Sequence, residues 1–489
     1  MSNLELYFQE FRKDIIGIDD EYTSPYGNQK INYADWIASG RLHKTIEDKI
    51  TNTFGPFVAN THTETSEMGT RMTQAYHYAQ KNIKNHVNAT ESDVIIAAGF
   101  GMTAVVNKLI RILGLRSCGK LSGKQCIKDA EKPVVFISHM EHHSNHTSWL
   151  ESNAEVIIVP PGKDLTVDPN ELEKLLIQFK DRQFKIGAFT ACSNVTGVHT
   201  PYYELAKKMH QYNGMVLIDF AASAPYEEIN MHPANEMEKL DGIYFSPHKF
   251  MGGPGSSGIL IFDSKFYNNE IPDNPGGGTV DWTNPWNQYK YVENIEARED
   301  GGTPGFLQLI RAALAFELKH KMGIQNILDR EKELIDIAFP ALKEISGVHV
   351  LAENIQDRLG IISFYIENFH FNLAVKLLSD RFGIQVRGGC ACAGTYGHYL
   401  LEVSYEKSHQ ITDMINHGDL SQKPGWIRWS MHPTMTNQEV KQFIGAVKQI
   451  IEHKEEWEKD YIYNNHKNEF FHKDQKTGTK EDVSKWFNL

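Results

Sequence analysis

The chain has 489 residues, of which 41% are hydrophobic and 23% are charged, and its formal net charge is -12. A chain of this length can bury a large core and should form more than one domain. The acidic balance argues against a broad nucleic-acid surface, and no apolar run is long enough for a transmembrane helix. The five cysteines do not suggest a disulfide framework, so we expect free thiols and a cytoplasmic protein.

Short apolar runs alternate with helical patterns between about residues 90 and 265. Two of the helices are PNELEKLLIQF and PYYELAKKMHQY, and near-continuous apolar strands separated by such helices are typical of a parallel sheet covered on both faces. We therefore predict an α/β domain with a mostly parallel, seven-stranded sheet. The predicted strands are 93–98, 133–138, 155–160, 185–191, 215–220, 241–246 and 257–262.

The rest of the chain predicts a long Gly/Pro-rich functional loop and then a smaller α+β domain. The loop is PDNPGGGTVDWTNPW (272–286), and a helix around 304–322 follows it. In the smaller domain we expect strands at GIISFYI, GIQVRG and GWIRWSM, and helices near 326–345, 371–381 and 436–458. The last thirty residues are rich in Lys, Glu, Asn and His and predict a solvated helix and tail.

This pattern predicts a division of the chain into four parts. Residues 1–30 would be an N-terminal segment that packs on the smaller domain, and residues 31–315 the large domain. Residues 316–460 would form the small C-terminal domain, followed by a polar tail at 461–489.

Two glycine-rich motifs resemble nucleotide-binding signatures by accident. GLRSCGKL (114–121) has Leu121 where a P-loop needs a magnesium-binding Ser or Thr, and it follows a helix. GGPGSSG (252–258) precedes a strand, whereas a dinucleotide fingerprint precedes a helix.

The segment GFGMTA (99–104) follows a predicted strand and opens a predicted helix. Free backbone N–H groups at a helix start, together with the Thr103 hydroxyl, form a natural phosphate site. A tight strand–helix turn without a ligand explains the same residues equally well.

Four histidines lie in HMEHHSNH (139–146), directly after the predicted strand 133–138. A zinc site is conceivable, but no pair has a recognisable ligand spacing with a general-base Glu. A ring at the carboxyl end of a strand can instead stack on a planar cofactor, because ligands in such sheets bind there. Some of these histidines would then simply be surface residues.

Two further strands lead to charged residues. Asp219 ends a buried strand, where a carboxylate is costly unless it faces a cation or hydrogen-bond donors. Lys249 comes just after another strand, with Ser246 and His248 beside it, which suits a Schiff-base lysine next to phosphate donors. A phosphate site, a stacking ring, a buried carboxylate and a lysine in this order are what pyridoxal 5'-phosphate (PLP) requires.

With these motifs the chain resembles the class V aminotransferase superfamily of fold-type I PLP enzymes, and within it the cysteine desulfurase/selenocysteine lyase branch. The resemblance covers about residues 32–450 and implies a large PLP-binding domain and a smaller α+β domain. The matching stretches are INYADWIASGR, EHHSN, SNVTG (193–197), the Asp219 strand, SPHK (246–249), GGGT (276–279), EDGGTP (299–304), RGGCACA and IRWSM.

The resemblance implies a role for each matching residue of the cofactor site. Lys249 would bind PLP as a Schiff base, His142 would stack on its ring, and Asp219 would pair with the ring nitrogen. The residues that would hold the phosphate are Thr103, Ser246 and His248, together with Thr279 from a partner subunit.

The resemblance also implies a substrate site and a nucleophile. Asn194 and Arg428 match the positions that bind the substrate carboxylate, a task that suits a bidentate arginine. Arg387 begins the family's R-x-G-x-x-C pattern, so Cys392 is the candidate nucleophile, and Arg387 is a cation that could lower its pKa. Cys390 takes a position that is often histidine in this family.

Several positions depart from the family pattern. Ala222 stands where a Gln usually binds the phenolic oxygen of the cofactor, and Met102 and Ala104 replace the Thr and Glu of a common GTTE segment. KFMGGPG contains an additional Gly, and the insertion at 116–131 is unusual.

We therefore predict a PLP-dependent cysteine desulfurase that converts L-cysteine to L-alanine and transfers the sulfur to Cys392 as a persulfide. The alternatives of the same class are a selenocysteine lyase, a C–S lyase, an epimerase or an aminotransferase. An alternative of a different class is a non-catalytic PLP-binding or sulfur-relay protein. We expect an amino-acid substrate, a homodimer and a protein sulfur acceptor, and no metal, nucleic acid or membrane.

Overall fold

The structure is a computed structural model that describes residues 1–61, 64–116, 131–474 and 483–488. The insertion at 116–131 therefore lies almost wholly outside the described residues, and so does part of the chain after residue 474. Two of the five cysteines, Cys118 and Cys126, fall in this insertion.

The N-terminal segment begins with a capped helix. The Ser2 hydroxyl accepts a hydrogen bond from the Glu5 N–H, as expected of an N-cap. On the other end of this helix, Arg12 binds Glu439 at 2.8 Å, which ties the segment to a helix near the end of the chain. The elements of this segment are α1 (Asn3–Arg12), β1 (Glu21–Ser24), β2 (Gly27–Lys30), β3 (Asn32–Tyr33) and α2 (Lys44–Lys49).

The described residues form one large sheet of seven strands, which confirms the predicted fold class. Its order is β4-β10-β9-β8-β7-β5-β6, and only β10 runs antiparallel to its neighbours. The strands are β4 (Asp93–Ala98), β5 (Val134–Ser138), β6 (Glu155–Val159), β7 (Lys185–Thr190), β8 (Met215–Asp219), β9 (Gly242–Phe245) and β10 (Gly258–Asp263).

Helices cover both faces of this sheet, so strands such as β5, β7, β8 and β9 are buried along their whole length. This burial explains why the strands are continuous apolar runs without alternation. None of the helices in the described part of the chain is long and apolar enough to cross a membrane. The helices are α3 (Glu67–His86), α4 (Met102–Ile112), α5 (His143–Leu150), α6 (Pro169–Gln178), α7 (Tyr202–Gln211), α8 (Ile295–Arg298) and α9 (Phe306–Met322).

The Gly/Pro-rich stretch predicted as a loop is a loop only in its first half. Its second half enters an antiparallel hairpin of β11 (Val280–Thr283) and β12 (Tyr289–Tyr291). Aromatic and β-branched residues in this half favour a strand, although Gly and Pro dominate the composition of the whole stretch.

A second, antiparallel sheet of four strands follows, in the order β13-β14-β17-β16. The predicted strand GIQVRG divides at Val386: its first half pairs in parallel with β3, and its second half pairs with β17. This division brings the N-terminal segment beside the strand that carries Arg428. The elements are α10 (Ile324–Lys343), β13 (Val348–Val350), β14 (Ile361–Ile366), α11 (Phe371–Phe382), β15 (Ile384–Gln385), β16 (Arg387–Gly389), α12 (Gly394–Leu400), α13 (Tyr405–Asn416), β17 (Trp426–Ser430) and α14 (Asn437–Trp457).

The chain continues after α14 into a β-hairpin, where the sequence predicted a solvated helix. The hairpin pairs β18 (Tyr461–Asn464) with β19 (Glu469–His472). Tyr461 and His472 are buried whereas Ile462 and Phe471 are exposed, so one face of the hairpin packs on the protein. The helix prediction was wrong because this alternation of period two is short and lies within a polar composition.

Candidate active site

A cavity of about 210 Å³ lies at the edge of the large sheet where parallel strands end. Asp219 is the last residue of β8, and Ser246 directly follows β9. Because the carboxyl ends of parallel strands meet at one edge, residues distant in sequence become neighbours there. The residues predicted for the cofactor and substrate that line this cavity are Thr103, His142, Asn194, Asp219, Ser246, His248, Lys249, Arg387 and Arg428.

Asp219 and Lys249 form the charged centre of the cavity. Asp219 is only 3% exposed, and its carboxylate accepts a hydrogen bond from the Ala221 N–H at 2.8 Å. Burial raises the pKa of Asp219 to about 6, although the Ala221 N–H and the charge of Lys249 oppose the shift. Burial also lowers the pKa of Lys249 to about 8, against the attraction of Asp219.

Lys249 is held in a tight turn that depends on the glycines after it. The Lys249 N–H donates to the Ser246 carbonyl at 3.0 Å, and the chain then folds back on itself. A Cβ on Gly253 would lie 1.8 Å from the carbonyl oxygen of Pro247, and Gly252 has a φ of +77°. The additional glycine noted in KFMGGPG is therefore a consequence of this backbone geometry.

The side chain of His142 is a neutral ring at the cavity. Burial, followed by the charge of Lys249, lowers the pKa of His142 to about 3. Its Nδ1 accepts a hydrogen bond from the Ser144 N–H at 3.1 Å, which fixes the ring. A neutral ring held in this way can stack on a planar group.

The N-terminus of α4 approaches the cavity closely. The Met102 N–H donates to the Ser246 hydroxyl at 2.8 Å, and the Thr103 hydroxyl lies 2.6 Å from that of Ser144. A Cβ on Gly101 would lie 3.0 Å from both Ser246 Oγ and His248 Cε1, so the absence of a side chain keeps this corner open. N–H groups and hydroxyls converge here as a phosphate site requires.

Arg428 is buried and also lines this cavity. Its Nη2 donates to Asp35 at 2.7 Å and its Nη1 to the Asn194 carbonyl at 3.3 Å. Arg428 Nε and Asn194 Oδ1 are buried and have no hydrogen-bond partner among the described residues. Both residues line the cavity, so a polar ligand that reaches these atoms would complete their hydrogen bonds.

Asp35 is a residue of this site that sequence reasoning missed. Its second oxygen lies 3.6 Å from Arg387 Nε, so its carboxylate contacts both arginines. The segment INYADW was part of the family resemblance, but nothing in it indicated a contact with residues more than 350 positions away. The pairing of β3 with β15 and the bridge between Asp35 and Ser430 in β17 create that contact.

Cys392 does not line the cavity. It lines a groove on the other side of the loop that forms part of the cavity wall. Its side chain is exposed and faces this groove of about 830 Å³, which Cys390 also lines. Arg387 and Ala391 line both the groove and the cavity, so this loop separates the two spaces. The predicted nucleophile is therefore close to the predicted cofactor site without opening into it.

The cysteine loop is held by hydrogen bonds and by an unusual backbone. The Cys392 carbonyl accepts a bond from the His143 N–H at 2.7 Å, and the Gly394 N–H donates to His143 Nε2 at 3.0 Å. Ala391 and Cys392 have φ values of +50° and +57°, in the left-handed region. For residues with a Cβ this conformation costs about 1–2 kcal/mol each, so the loop is held in a strained state.

Thr279 is the predicted cofactor residue that the structure does not bring to the cavity. It is fully buried, and its hydroxyl donates to the Gly276 carbonyl at 2.7 Å. The predicted contact of Thr279 was with the cofactor of a partner subunit, and it stays a prediction.

The four clustered histidines point in different directions. His142 faces the cavity and His143 holds the cysteine loop, whereas His139 Nε2 lies 3.0 Å from the Leu165 carbonyl. His146 lies 3.4 Å from the Thr395 hydroxyl. No group of three or more His, Cys, Asp or Glu side chains is arranged to hold a metal ion in the described part of the chain.

Two further residues of the cavity wall lie at the carboxyl end of β7. Thr190 and Cys192 line the cavity together with Ala222, the position that departs from the family pattern. Cys192 is 1% exposed, and burial raises the pKa of its thiol far above the usual range, so this thiol is neutral. The sequence TACSN at a strand end was the available signal for these two residues.

Comparisons with known proteins agree with this architecture. The profile of a family described as aminotransferase class-V matches residues 32–443. A probable cysteine desulfurase from Halalkalibacterium halodurans is 27% identical over 378 residues, which are 76% of this chain and 87% of that protein.

Two solved structures share the fold over most of the chain. The apo structure of a cysteine desulfurase from Thermococcus onnurineus NA1 has a TM-score of 0.71 at 22% identity and covers 91% of this chain and 98% of its own. The cysteine desulfurase CsdA from Escherichia coli has a TM-score of 0.70 at 19% identity, with the same two coverages.

Proposed function

The chain belongs to the class V aminotransferase family, and we propose that it is a PLP-dependent cysteine desulfurase that converts L-cysteine to L-alanine. The sulfur would remain on Cys392 as a persulfide. The observation that carries this proposal is one cavity that joins Lys249, Asp219 and His142 to Arg428, with the loop of Cys392 as part of its wall.

The residues of the cavity fit PLP. Asp219 offers a buried carboxylate for a protonated ring nitrogen, His142 a neutral ring, and Lys249 an amine with a lowered pKa. The start of α4, with Thr103, Ser246 and His248, would hold the phosphate. When bound, PLP supplies an electron sink for the carbanion that forms at the substrate Cα.

Arg428 and Asn194 would bind the substrate carboxylate. Arg428 Nε is unpartnered, and an arginine can hold a carboxylate with two parallel hydrogen bonds. Asn194 Nδ2 donates to the Ala391 carbonyl at 2.8 Å, and its second N–H would donate to the carboxylate. Arg387 would add a second positive charge, since it also lines the cavity.

Lys249 is the proposed acid–base group. Since its pKa is about 8, a useful fraction of the amine is neutral near neutral pH and can take the proton of the substrate Cα at Nζ. The same ammonium group can then return a proton. The negative charge of Asp219 raises the pKa of this lysine and so limits the effect of burial.

Cys392 is the proposed sulfur acceptor within the protein. Its thiolate would attack the substrate sulfur, so that an S–S bond forms while the C–S bond breaks and a proton completes the methyl group of alanine. Because the thiol lies on the groove side, this step requires the loop around Ala391 to turn inward. Release of the left-handed backbone at Ala391 and Cys392 favours such a movement.

Three further features belong to this proposal. The enzyme would be a homodimer in which Thr279 reaches the phosphate of the partner's cofactor. It would pass its sulfur to a protein acceptor, and it would work in the cytoplasm, where thiols such as Cys390 and Cys392 stay reduced.

The decisive experiment replaces Cys392 by Ser and uses Cys390→Ser as the matched control. With L-cysteine as substrate, the wild-type protein and Cys390→Ser should form alanine and a persulfide that mass spectrometry locates on Cys392. Cys392→Ser should bind the cofactor with an unchanged absorption band but release no alanine. Full alanine production by Cys392→Ser would refute the proposed function.

A further inference from the structure

The hairpin of β18 and β19 lies beyond residue 443, where the match to the family profile ends. It is fixed firmly to α11. The Tyr461 hydroxyl donates to Asp380 at 3.0 Å, the Asn372 side chain donates to the Asn468 carbonyl at 2.5 Å, and Arg381 binds Asp460 at 3.1 Å. These contacts hold the hairpin in a fixed position against α11.

This hairpin closes one side of the groove that Cys390 and Cys392 line. The other sides are α11, the segment around Pro424 and the loop from Gln385 to Cys392. The floor is apolar, with Phe371, Val375 and Phe470 among its residues.

The rim of the groove is positively charged on a chain whose net charge is -12. Lys376 is paired with Asp380 at 3.0 Å, whereas Lys423 and Lys467 are exposed and form no ion pair with any described residue. The only carboxylate that lines the described groove is Glu469. A local excess of cations beside a thiol complements an anionic partner.

We propose that this groove, called here the acceptor groove, binds an acidic, extended segment of a partner protein that carries the sulfur-accepting thiol. This inference rests on the proposed function, because it assigns the next destination of the sulfur on Cys392. An apolar floor with a charged rim suits a peptide that places an apolar side chain beside its thiol. A small polar thiol would gain little from that floor.

The transfer itself is balanced without any other reagent. The thiolate of the partner segment attacks the outer sulfur of the Cys392 persulfide, a new S–S bond forms, and the old S–S bond breaks. Cys392 leaves as a thiolate and is ready for the next cycle. Lys423 and Lys467 would hold the acidic residues that flank the attacking thiol.

The test compares two short peptides that carry one cysteine and one phenylalanine, one with flanking Asp and Glu and one with Asn and Gln. The variant is Lys423→Glu with Lys467→Glu, and the matched control is Lys163→Glu with Lys207→Glu, two exposed lysines outside the groove. Binding is measured first with fluorescent versions in which Ser replaces the cysteine, so this arm needs no sulfur chemistry. We expect the acidic peptide to bind the wild-type holoenzyme and the control about tenfold more tightly than the neutral one, and the groove variant to lose this preference.

Sulfur transfer from the loaded holoenzyme is measured with the cysteine-containing peptides and with dithiothreitol. We expect all variants to load Cys392 equally and the groove variant to lose its transfer to the acidic peptide while it still transfers to dithiothreitol. Equal binding of the two peptides to the wild-type protein would overturn the acceptor groove. A wild-type protein that binds the acidic peptide but loads no sulfur would instead refute the proposed function.

Discussion

Asp35 offers a sharp test of how the cavity selects its substrate, because its carboxylate already occupies part of the arginine pair. It lies 2.7 Å from Arg428 and 3.6 Å from Arg387, and its side chain is 16% exposed. A substrate carboxylate bound through Arg428 Nε would therefore share that guanidinium with Asp35. The two negative charges repel one another across it, and the substitution Asp35→Asn removes this repulsion.

The size of the effect follows from the geometry. Two carboxylates that bind the same guanidinium lie about 7 Å apart, and at an effective dielectric constant of about 20 their repulsion is about 2 kcal/mol. Part of this gain is lost because Asn orients Arg428 less firmly than a carboxylate does. We therefore expect Asp35→Asn to bind carboxylates about tenfold more tightly, which corresponds to about 1.4 kcal/mol.

The assay is calorimetric titration of the holoenzyme with L-alanine and with L-aspartate, whose second carboxylate makes it more sensitive to nearby charge. The gain should be larger for L-aspartate, so the natural Asp35 would disfavour dicarboxylates. Asp19→Asn is the matched control, since Asp19 is exposed and paired with Lys30 away from the cavity. Weaker binding of L-alanine by Asp35→Asn would refute this reasoning. It would show that Asp35 mainly orients Arg428 and that its repulsion of the substrate carboxylate is unimportant.

Three other substitutions or titrations test separate parts of the structure. In the apoprotein, labelling of Lys249 by an amine-reactive reagent should rise with pH through a midpoint of about 8, because burial favours the neutral amine. In Asp219→Asn the midpoint should fall, because the negative charge that raises the pKa of Lys249 is gone. A midpoint equal to that of exposed lysines would contradict the buried site. Cys390→Ala should still load sulfur on Cys392, because Cys390 is half-buried and packs on the core; loss of loading would make it a second essential thiol. Thr436→Ala should lower the free energy of unfolding by about 1 kcal/mol, measured by urea denaturation, because it removes the capping box of α14.

The large sheet and the part of the cavity at its strand ends could be predicted because they depend on local signals, whereas Asn194, Arg387 and Arg428 were expected only from the family resemblance. Continuous apolar runs indicate buried parallel strands, and parallel strands bring their carboxyl ends together, so Asp219 and Lys249 had to be neighbours. The order of these residues along the chain was sufficient for that conclusion.

Contacts between distant segments could not be predicted in the same way. Asp35 reaches Arg428 because β3 pairs with β15 and because Asp35 forms a parallel bridge with Ser430 of β17. No periodicity in these segments shows that pairing. The direction of the Cys392 thiol depends on the left-handed backbone at Ala391 and Cys392, although neither residue type favours it. The C-terminal hairpin was missed because its two strands are short and lie within a polar stretch of the chain.

Glu141 and Asp219 are both buried carboxyl groups, and they differ in their charge near neutral pH. Glu141 accepts hydrogen bonds from the Thr190 N–H at 2.9 Å and from Asn145 at 2.7 Å, yet burial raises its pKa to about 8. Near neutral pH, Glu141 is thus mostly protonated, whereas Asp219, with a pKa of about 6, is mostly ionised. Moving the pKa of Asp219 from 3.8 to about 6 costs the native state about 3 kcal/mol at neutral pH, since each pKa unit is about 1.4 kcal/mol. That penalty is absent at low pH and grows as the pH rises from 3.8 to about 6. Glu141 carries a penalty of the same kind, because burial raises its pKa as well. Of the two carboxyl groups, only Asp219 lines the cavity together with Lys249.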